Sequence, residues 1–219
     1  MIRAVIFDLD QTLLDRDASL LAFLQWQCRG MLRGQLPRED TFIARFLELD
    51  ANGTVWKDRV YETLVEEFRI SRWTSAELLA SYELCFCGFS IAKAGAAEAI
   101  RRLSGHHTLG LISNGRSPFQ ERNFHGLGLP AAFRSVLVSG AIGLRKPDRR
   151  IFERSCRELG VLPSEAVFVG DDPSSDIRGA ADAGLHTIFI PGRLHPACES
   201  ASATCTDLTH LHRIVRQLP

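Results

Sequence analysis

The sequence predicts an α/β fold, a doubly wound parallel sheet interrupted by an inserted all-helical segment. In the second half of the chain, short apolar runs typical of buried strands alternate with helical patterns. That alternation is typical of a parallel sheet covered by helices on both faces. Between residues 16 and 90, by contrast, the apolar spacing is helical throughout and no strand pattern intervenes.

The first predicted strand, residues 3–9, leads directly into two carboxylates, Asp8 and Asp10. Ligands of an open parallel sheet bind at the carboxyl ends of its strands. Two acids at such an end are unfavourable unless a cation neutralises them, and a divalent cation with oxygen ligands suits that task. A solvated acidic turn is the alternative for this segment taken alone.

The remaining elements follow from periodicity and from turn residues. Four helices are predicted in the insertion, with breaks near residues 34–37, 52–53 and 71–74. After it, strands are predicted at residues 108–113, 136–139, 166–169 and 186–190. Helices are predicted at residues 94–103, 118–127, 147–159, 175–183 and 208–218. Residues 191–206 have turn-forming composition and are predicted as a surface loop.

Composition excludes several classes of partner. The 219 residues carry 26 basic and 26 acidic side chains, so neither nucleic acid nor an anionic membrane is the expected partner. No apolar run approaches the roughly 20 residues that span a bilayer. The first strand begins too close to Met1 for a signal peptide, so we expect a cytoplasmic protein. The six cysteines lack zinc-site spacing, and Cys85 and Cys87, which lie in an apolar helical stretch, are interpreted as reduced packing residues.

Three later strand ends also carry polar residues. Ser113 and Asn114 follow one strand, and Asp171 follows another, with Asp176 five residues further on. Lys146 precedes a proline that opens a predicted helix, and its ammonium could neutralise phosphate. Each feature has an ordinary alternative: an Asn-Gly turn, a surface lysine or a helix N-terminal cap.

Taken together, these segments resemble the four motifs of the haloacid dehalogenase-like hydrolase superfamily. The motifs are, in order, Asp8-x-Asp10-x-Thr12, Ser113-Asn114, Lys146-Pro147 and Gly170-Asp171 with Asp176. The residues around the last two motifs are typical of the subgroup with a helical cap after motif one. The resemblance covers the whole chain and implies a Rossmann-like catalytic core of residues 1–15 and 91–219, with residues 16–90 as the cap.

The resemblance implies a phosphatase mechanism. Asp8 would be the nucleophile that forms an aspartyl-phosphate. Asp10 would protonate the leaving oxygen and then activate the hydrolytic water. Mg²⁺ would be held by Asp8, the backbone carbonyl of Asp10, and Asp171, with waters completing the shell.

Other residues receive supporting roles from the same resemblance. The side chains expected to bind the substrate phosphate are those of Thr12, Ser113, Asn114 and Lys146. Lys146 is also expected to be catalytic. Asp176 and Asp172 would orient Lys146 and the metal waters, and a solvated position is the alternative for Asp172.

Residue identities within the motifs separate the reactions of the superfamily. Relatives that dehalogenate acids lack the second aspartate of motif one, whereas Asp10 is present here. Sugar-phosphate mutases keep both aspartates but typically have valine where Thr12 stands. We therefore expect a Mg²⁺-dependent phosphomonoester hydrolase acting on a small phosphorylated metabolite, as a monomer or homodimer. A sugar-phosphate mutase, or a regulatory or binding protein without turnover, remains the alternative.

Substrate choice would depend on the cap. Phe23, Trp26 and Trp56 could stack on a nucleobase, but their helical setting favours packing between helices. Arg16 or Lys57 could meet a second anionic group of the substrate, with a solvated surface as the alternative.

Overall fold

The structure is a computed structural model that describes residues 1–219, except for the side chain of Pro130. The chain divides into two compact units. The larger comprises Met1–Arg16 and Ser90–Pro219, and the smaller comprises Asp17–Phe89.

A six-stranded parallel sheet forms the centre of the larger unit. Its strands are β1 (Ala4–Phe7), β2 (Thr108–Ser113), β3 (Phe133–Val138), β4 (Ala166–Gly170), β5 (His186–Phe189) and β6 (Ala203–Thr204). They lie in the order β3-β2-β1-β4-β5-β6. The strand order reverses at β1, which pairs with β2 on one side and β4 on the other, so the prediction of a doubly wound parallel sheet is confirmed.

The smaller unit contains the four predicted helices. They are α1 (Arg16–Arg29), α2 (Glu39–Asp50), α3 (Lys57–Glu67) and α4 (Ser75–Cys85). The ring of Phe23 is fully buried and lies 5.4 to 6.0 Å from the rings of four neighbours, namely Trp26, Tyr82, Phe86 and Phe89. The packing interpretation is therefore confirmed for Phe23. It is wrong for Trp56, which is 58% exposed.

Helices cover both faces of the sheet. They are α5 (Ala96–Leu103), α6 (Phe119–Gly126), α7 (Ser139–Ile142), α8 (Arg149–Leu159), α9 (Gly179–Asp182) and α10 (Leu211–Gln217). Successive side chains of a strand point to opposite faces. On one face, Ile6 belongs to the same apolar cluster as Phe152 of α8. On the other, Phe7 contacts Phe133, which contacts Phe124 of α6.

Several element boundaries differ from the sequence prediction. Strand β3 begins at Phe133 rather than residue 136. The helix predicted at residues 175–183 is a π-helix, Pro173–Arg178, followed by α9. The segment predicted as a surface loop contains strand β6 and the buried Cys205, so that prediction is wrong in part. No described helix is long and apolar enough to cross a membrane.

Candidate active site

The turn after β1 presents three motif residues. The backbone N–H of Asp8 donates to the carbonyl of Val169 at 2.9 Å, which places Asp8 beside the end of β4. Gln11 adopts a left-handed φ of 61°, and the chain then turns back so that Leu14 N–H donates to Leu9. Thr12 lies in this turn and is fully buried, and its hydroxyl oxygen has no hydrogen-bond partner among the described residues. A buried hydroxyl without a partner suits a ligand oxygen.

Three carboxylates converge at the ends of β1 and β4. One carboxylate oxygen from each of Asp8, Asp171 and Asp176 lies within 4.8 Å of the others. Asp171 directly follows β4, and Asp176 lies in the π-helix. A compact set of oxygen donors fits a hard divalent cation such as Mg²⁺.

Gly170 makes the approach of Asp176 to β4 sterically feasible. A Cβ atom at residue 170 would lie only 2.6 Å from the Cβ of Asp176. Asp176 is held there because its Oδ2 accepts the backbone N–H of Asp172 at 3.2 Å. The strand end therefore requires glycine for the acidic cluster to form.

Lys146 brings the opposing positive charge. Its Nζ lies 2.5 Å from Oδ1 of Asp8 and 2.8 Å from Oδ1 of Asp176. The residue is only 3% exposed. Its backbone is fixed by Asn114, whose Oδ1 accepts the Lys146 N–H and whose Nδ2 donates to the Lys146 carbonyl, both at 2.9 Å. Asn114 thus helps to hold the buried ammonium of Lys146 beside the carboxylates.

The buried charges perturb one another. Burial raises the pKa of Asp8 to about 7, although the ammonium of Lys146 opposes that shift. Burial and the negative charges of Asp8 and Asp176 raise the pKa of Asp171 to about 8. Burial alone would lower the pKa of Lys146, but the charges of Asp176 and Asp8 prevail and raise it. One ammonium does not satisfy this cluster, which is why a second, divalent positive charge fits it.

The structure brings most predicted site residues together but changes two roles. The side chain of Asn114 is engaged with the backbone of Lys146, so it positions the lysine, whereas the sequence prediction makes it a phosphate ligand. Asp172 accepts the N–H groups of Ser174 and Ser175, which lower its pKa against the effect of burial. Asp172 therefore caps the π-helix, and its backbone N–H supports Asp176.

Gln120 is a site residue that sequence reasoning missed. Its Nε2 donates to Oδ2 of Asp10 at 2.6 Å and to Oγ of Ser113 at 3.1 Å. The residue lies in the first turn of α6 and is buried. The available signal was its place in the helix that follows Ser113-Asn114, but a glutamine among polar neighbours resembles a solvated helix face.

Residues 2–184 match the family model of haloacid dehalogenase-like hydrolases. The chain belongs to this haloacid dehalogenase-like family. Its curated relatives include phosphatases, which supports phosphoric monoester hydrolysis for this member of the family. The glyceraldehyde 3-phosphate phosphatase of Pyrococcus furiosus is 30% identical over 196 residues, covering 86% of this chain and 80% of the relative.

Another curated relative matches over a shorter stretch of this chain. The phosphoserine phosphatase of Thermus thermophilus is 40% identical over 111 residues, which are 51% of this chain and only 43% of the relative. Among solved structures, the hydrolase YfnB from Bacillus subtilis, bound to magnesium, has a TM-score of 0.79. It is 22% identical and the match covers 98% of both chains, which shows the shared fold.

Proposed function

We propose that this chain is a Mg²⁺-dependent phosphomonoesterase that hydrolyses a small phosphorylated metabolite through an aspartyl-phosphate on Asp8. The observation that carries the proposal is the buried contact of Asp8 with Lys146 beside Asp171 and Asp176. A nucleophilic carboxylate, a cation for the phosphoryl oxygens and a set of oxygen ligands thus occur together at one edge of the sheet, where β1 and β4 end.

The donor set fits the magnesium that the family implies. Asp8, Asp171 and the backbone carbonyl of Asp10 would hold the ion, with Asp176 within reach of the same cluster. When bound, the ion would supply positive charge that lets an anionic carboxylate approach an anionic phosphoryl group. The raised pKa values of Asp8 and Asp171 support this assignment, because burial penalises their charged forms, neighbouring carboxylates add to that penalty, and a bound cation would offset both.

The protein groups then perform a two-step displacement. An oxygen of Asp8 attacks phosphorus, and the bond from phosphorus to the leaving oxygen breaks while Asp10 gives that oxygen a proton. Water next attacks the phosphorus of the aspartyl-phosphate and gives its proton to Asp10, which restores Asp8 and releases phosphate. Thr12, Ser113 and Lys146 would bind the non-bridging oxygens during both steps.

The presence of Asp10 favours an alkoxide over a halide as the leaving group, and hence a phosphate ester as the substrate. A halide departs as a stable anion and needs no proton, whereas an alkoxide is a poor leaving group without one. The relatives act on phosphoserine and on glyceraldehyde 3-phosphate, which are small monoesters of that kind. We therefore assign the substrate to the class of small phosphate monoesters with alkoxide leaving groups.

Phosphate release from a panel of phosphorylated metabolites tests the proposal. Wild-type protein with Mg²⁺ should release phosphate from at least one compound, and EDTA should abolish the release. Asp8→Asn should be inactive yet folded, because an amide oxygen is a poor nucleophile. Asp182→Asn, which changes a largely exposed carboxylate, is the matched control and should retain activity. Turnover by Asp8→Asn at the wild-type rate would contradict the mechanism.

A further inference from the structure

The side chain of Gln120 connects two functional groups of the site. Its Nε2 lies 2.6 Å from Oδ2 of Asp10 and 3.1 Å from Oγ of Ser113. The carbonyl of Asn114 is a third, longer neighbour at 3.4 Å. Gln120 is 4% exposed, so these contacts are shielded from competing water.

The orientation of the Gln120 amide is determined by its neighbours. An atom 2.6 Å from a carboxylate oxygen must be the NH₂ donor rather than the carbonyl oxygen. The opposite end agrees, because Oε1 accepts from Nδ2 of the buried Asn123 at 3.2 Å. A Cβ at residue 115 would lie 2.6 Å from the Cγ of Gln120, so Gly115 provides the space for this side chain.

This orientation makes the two oxygens of Asp10 unequal. Oδ2 accepts the N–H of Gln120, whereas no described residue hydrogen-bonds to Oδ1. A proton carried by Asp10 is therefore directed to Oδ1, since Oδ2 already faces a donor. Likewise, the N–H of Gln120 occupies a lone pair of Ser113 Oγ, which leaves the hydroxyl proton of Ser113 for an oxyanion.

We propose that Gln120 is a positioning residue that assigns proton transfer to Oδ1 of Asp10 and keeps the hydroxyl of Ser113 as a donor. The inference rests on the proposed function. The competing explanation is that Gln120 only fills space at the start of α6. The two explanations differ in what they predict for different leaving groups.

The test compares two esters in Gln120→Met, which removes the donor and nearly preserves the volume. The value of kcat/KM reports only the steps up to departure of the leaving group, in which Asp10 acts as acid. For an alkyl phosphate, whose leaving oxygen needs a proton, we expect kcat/KM to fall about tenfold to a hundredfold. For p-nitrophenyl phosphate, whose leaving group departs as a stable anion, the loss should be clearly smaller. Loss of the Ser113 donor would reduce both values equally, so the difference between esters isolates Asp10.

A double-variant cycle supplies the second readout. On the alkyl phosphate, the double variant Asp10→Asn/Gln120→Met should have the kcat/KM of Asp10→Asn alone, reduced only by the factor that Gln120→Met also costs on p-nitrophenyl phosphate. Arg122→Met, on an exposed position of the same helix, is the matched control and should behave as wild type. Where Gln120→Met lacks a wild-type melting transition, Gln120→Leu replaces it, because it also removes the donor and places no new charge beside Asp10.

The outcomes separate this inference from the proposed function. An ester-dependent loss that disappears in the Asp10→Asn background supports positioning. No loss on either ester would overturn the role of Gln120, and equal losses on both would overturn its role at Asp10, while wild-type hydrolysis still supports the phosphatase. No phosphate release by wild-type protein from either ester or from the metabolite panel would overturn both.

Discussion

Lys146 shows how a single residue serves both folding and chemistry. Its ammonium contacts the carboxylates of Asp8 and Asp176 in a site that excludes most solvent. A buried ion pair adds little net stability over an apolar replacement of both partners, but removal of one partner leaves a buried charge uncompensated. We therefore expect the lysine to support the stability of the metal-free protein as well as the proposed phosphate binding.

Lys146→Met should lower the free energy of unfolding of the metal-free protein by about 3 kcal/mol, since two buried carboxylates lose their ammonium. It should also abolish phosphate release. Urea unfolding in EDTA measures the stability change. Arg178→Met is the control, because its side chain is 80% exposed, and it should shift stability by no more than about 0.5 kcal/mol. Unchanged stability in Lys146→Met would contradict the buried pairing.

At the residue scale, the placement of the site's carboxylates is easier to predict from the sequence than the placement of its amide side chains. Asp8 and Asp171 follow apolar runs, so strand periodicity alone brings them to one sheet edge. Asn114 and Gln120 act through hydrogen-bond directions that depend on how a loop and a helix start are placed in space. No periodic pattern encodes those directions, and this is why Gln120 escaped prediction.

The end of β4 is the element on which the acidic cluster depends. The strand ends at Gly170, and the π-helix that follows turns the side chain of Asp176 back toward that glycine. Asp172 caps the π-helix by accepting two backbone N–H groups. A strand end, a cap and a helix start thus act together to hold the carboxylate of Asp176 beside Lys146.

Gly170→Ala should disrupt this arrangement, because its Cβ would meet the Cβ of Asp176 at 2.6 Å. Overpacking of this kind destabilises by about 1–3 kcal/mol, and displacement of Asp176 should also weaken Mg²⁺ binding. Thermal melting and isothermal titration with Mg²⁺ measure the two effects. At Gly192 an added Cβ would meet no atom within 4 Å, so Gly192→Ala is the matched control. Wild-type behaviour of Gly170→Ala would show that the strand end tolerates a side chain.

Element prediction succeeded where strands are buried and failed at the sheet edges. The bounds of β2 agree with the prediction because both of its neighbours are strands and its apolar run is continuous. Strand β3 lies at an edge, where Arg134 and Ser135 interrupt the apolar pattern. At the other edge, the two-residue β6 is preceded by Ser202, which exchanges side-chain and backbone hydrogen bonds with Thr187. So short a strand leaves no periodicity to detect.

At the scale of the whole molecule, the two segments that flank the insertion, residues 13–15 and 91–93, pair with each other in a short antiparallel ladder. Within the larger unit, Leu14 bridges Ala92 in antiparallel fashion. The N–H of Asp15 donates to Ile91 and that of Lys93 donates to Leu13, both at 2.8 Å. The two chain segments that flank residues 17–89 are therefore already joined by hydrogen bonds.

Replacement of residues 17–89 by a short Gly-Ser linker should therefore leave a folded larger unit. The linker has only a short gap to close, so its entropic penalty is small. Circular dichroism and thermal unfolding should show native-like strand content and a cooperative transition. A variant without a cooperative transition would show that the larger unit depends on the insertion for its folding.

The central claim is that Asp8 carries the phosphoryl group, and trapping it is the most direct test. Wild-type protein would be mixed with a substrate from the panel and Mg²⁺, quenched in acid during turnover, digested and analysed by mass spectrometry. We expect a phosphorylated peptide with the modification on Asp8, and none from Asp8→Asn. Turnover without phosphorylation of Asp8, or with the phosphoryl group on another residue, would contradict the account.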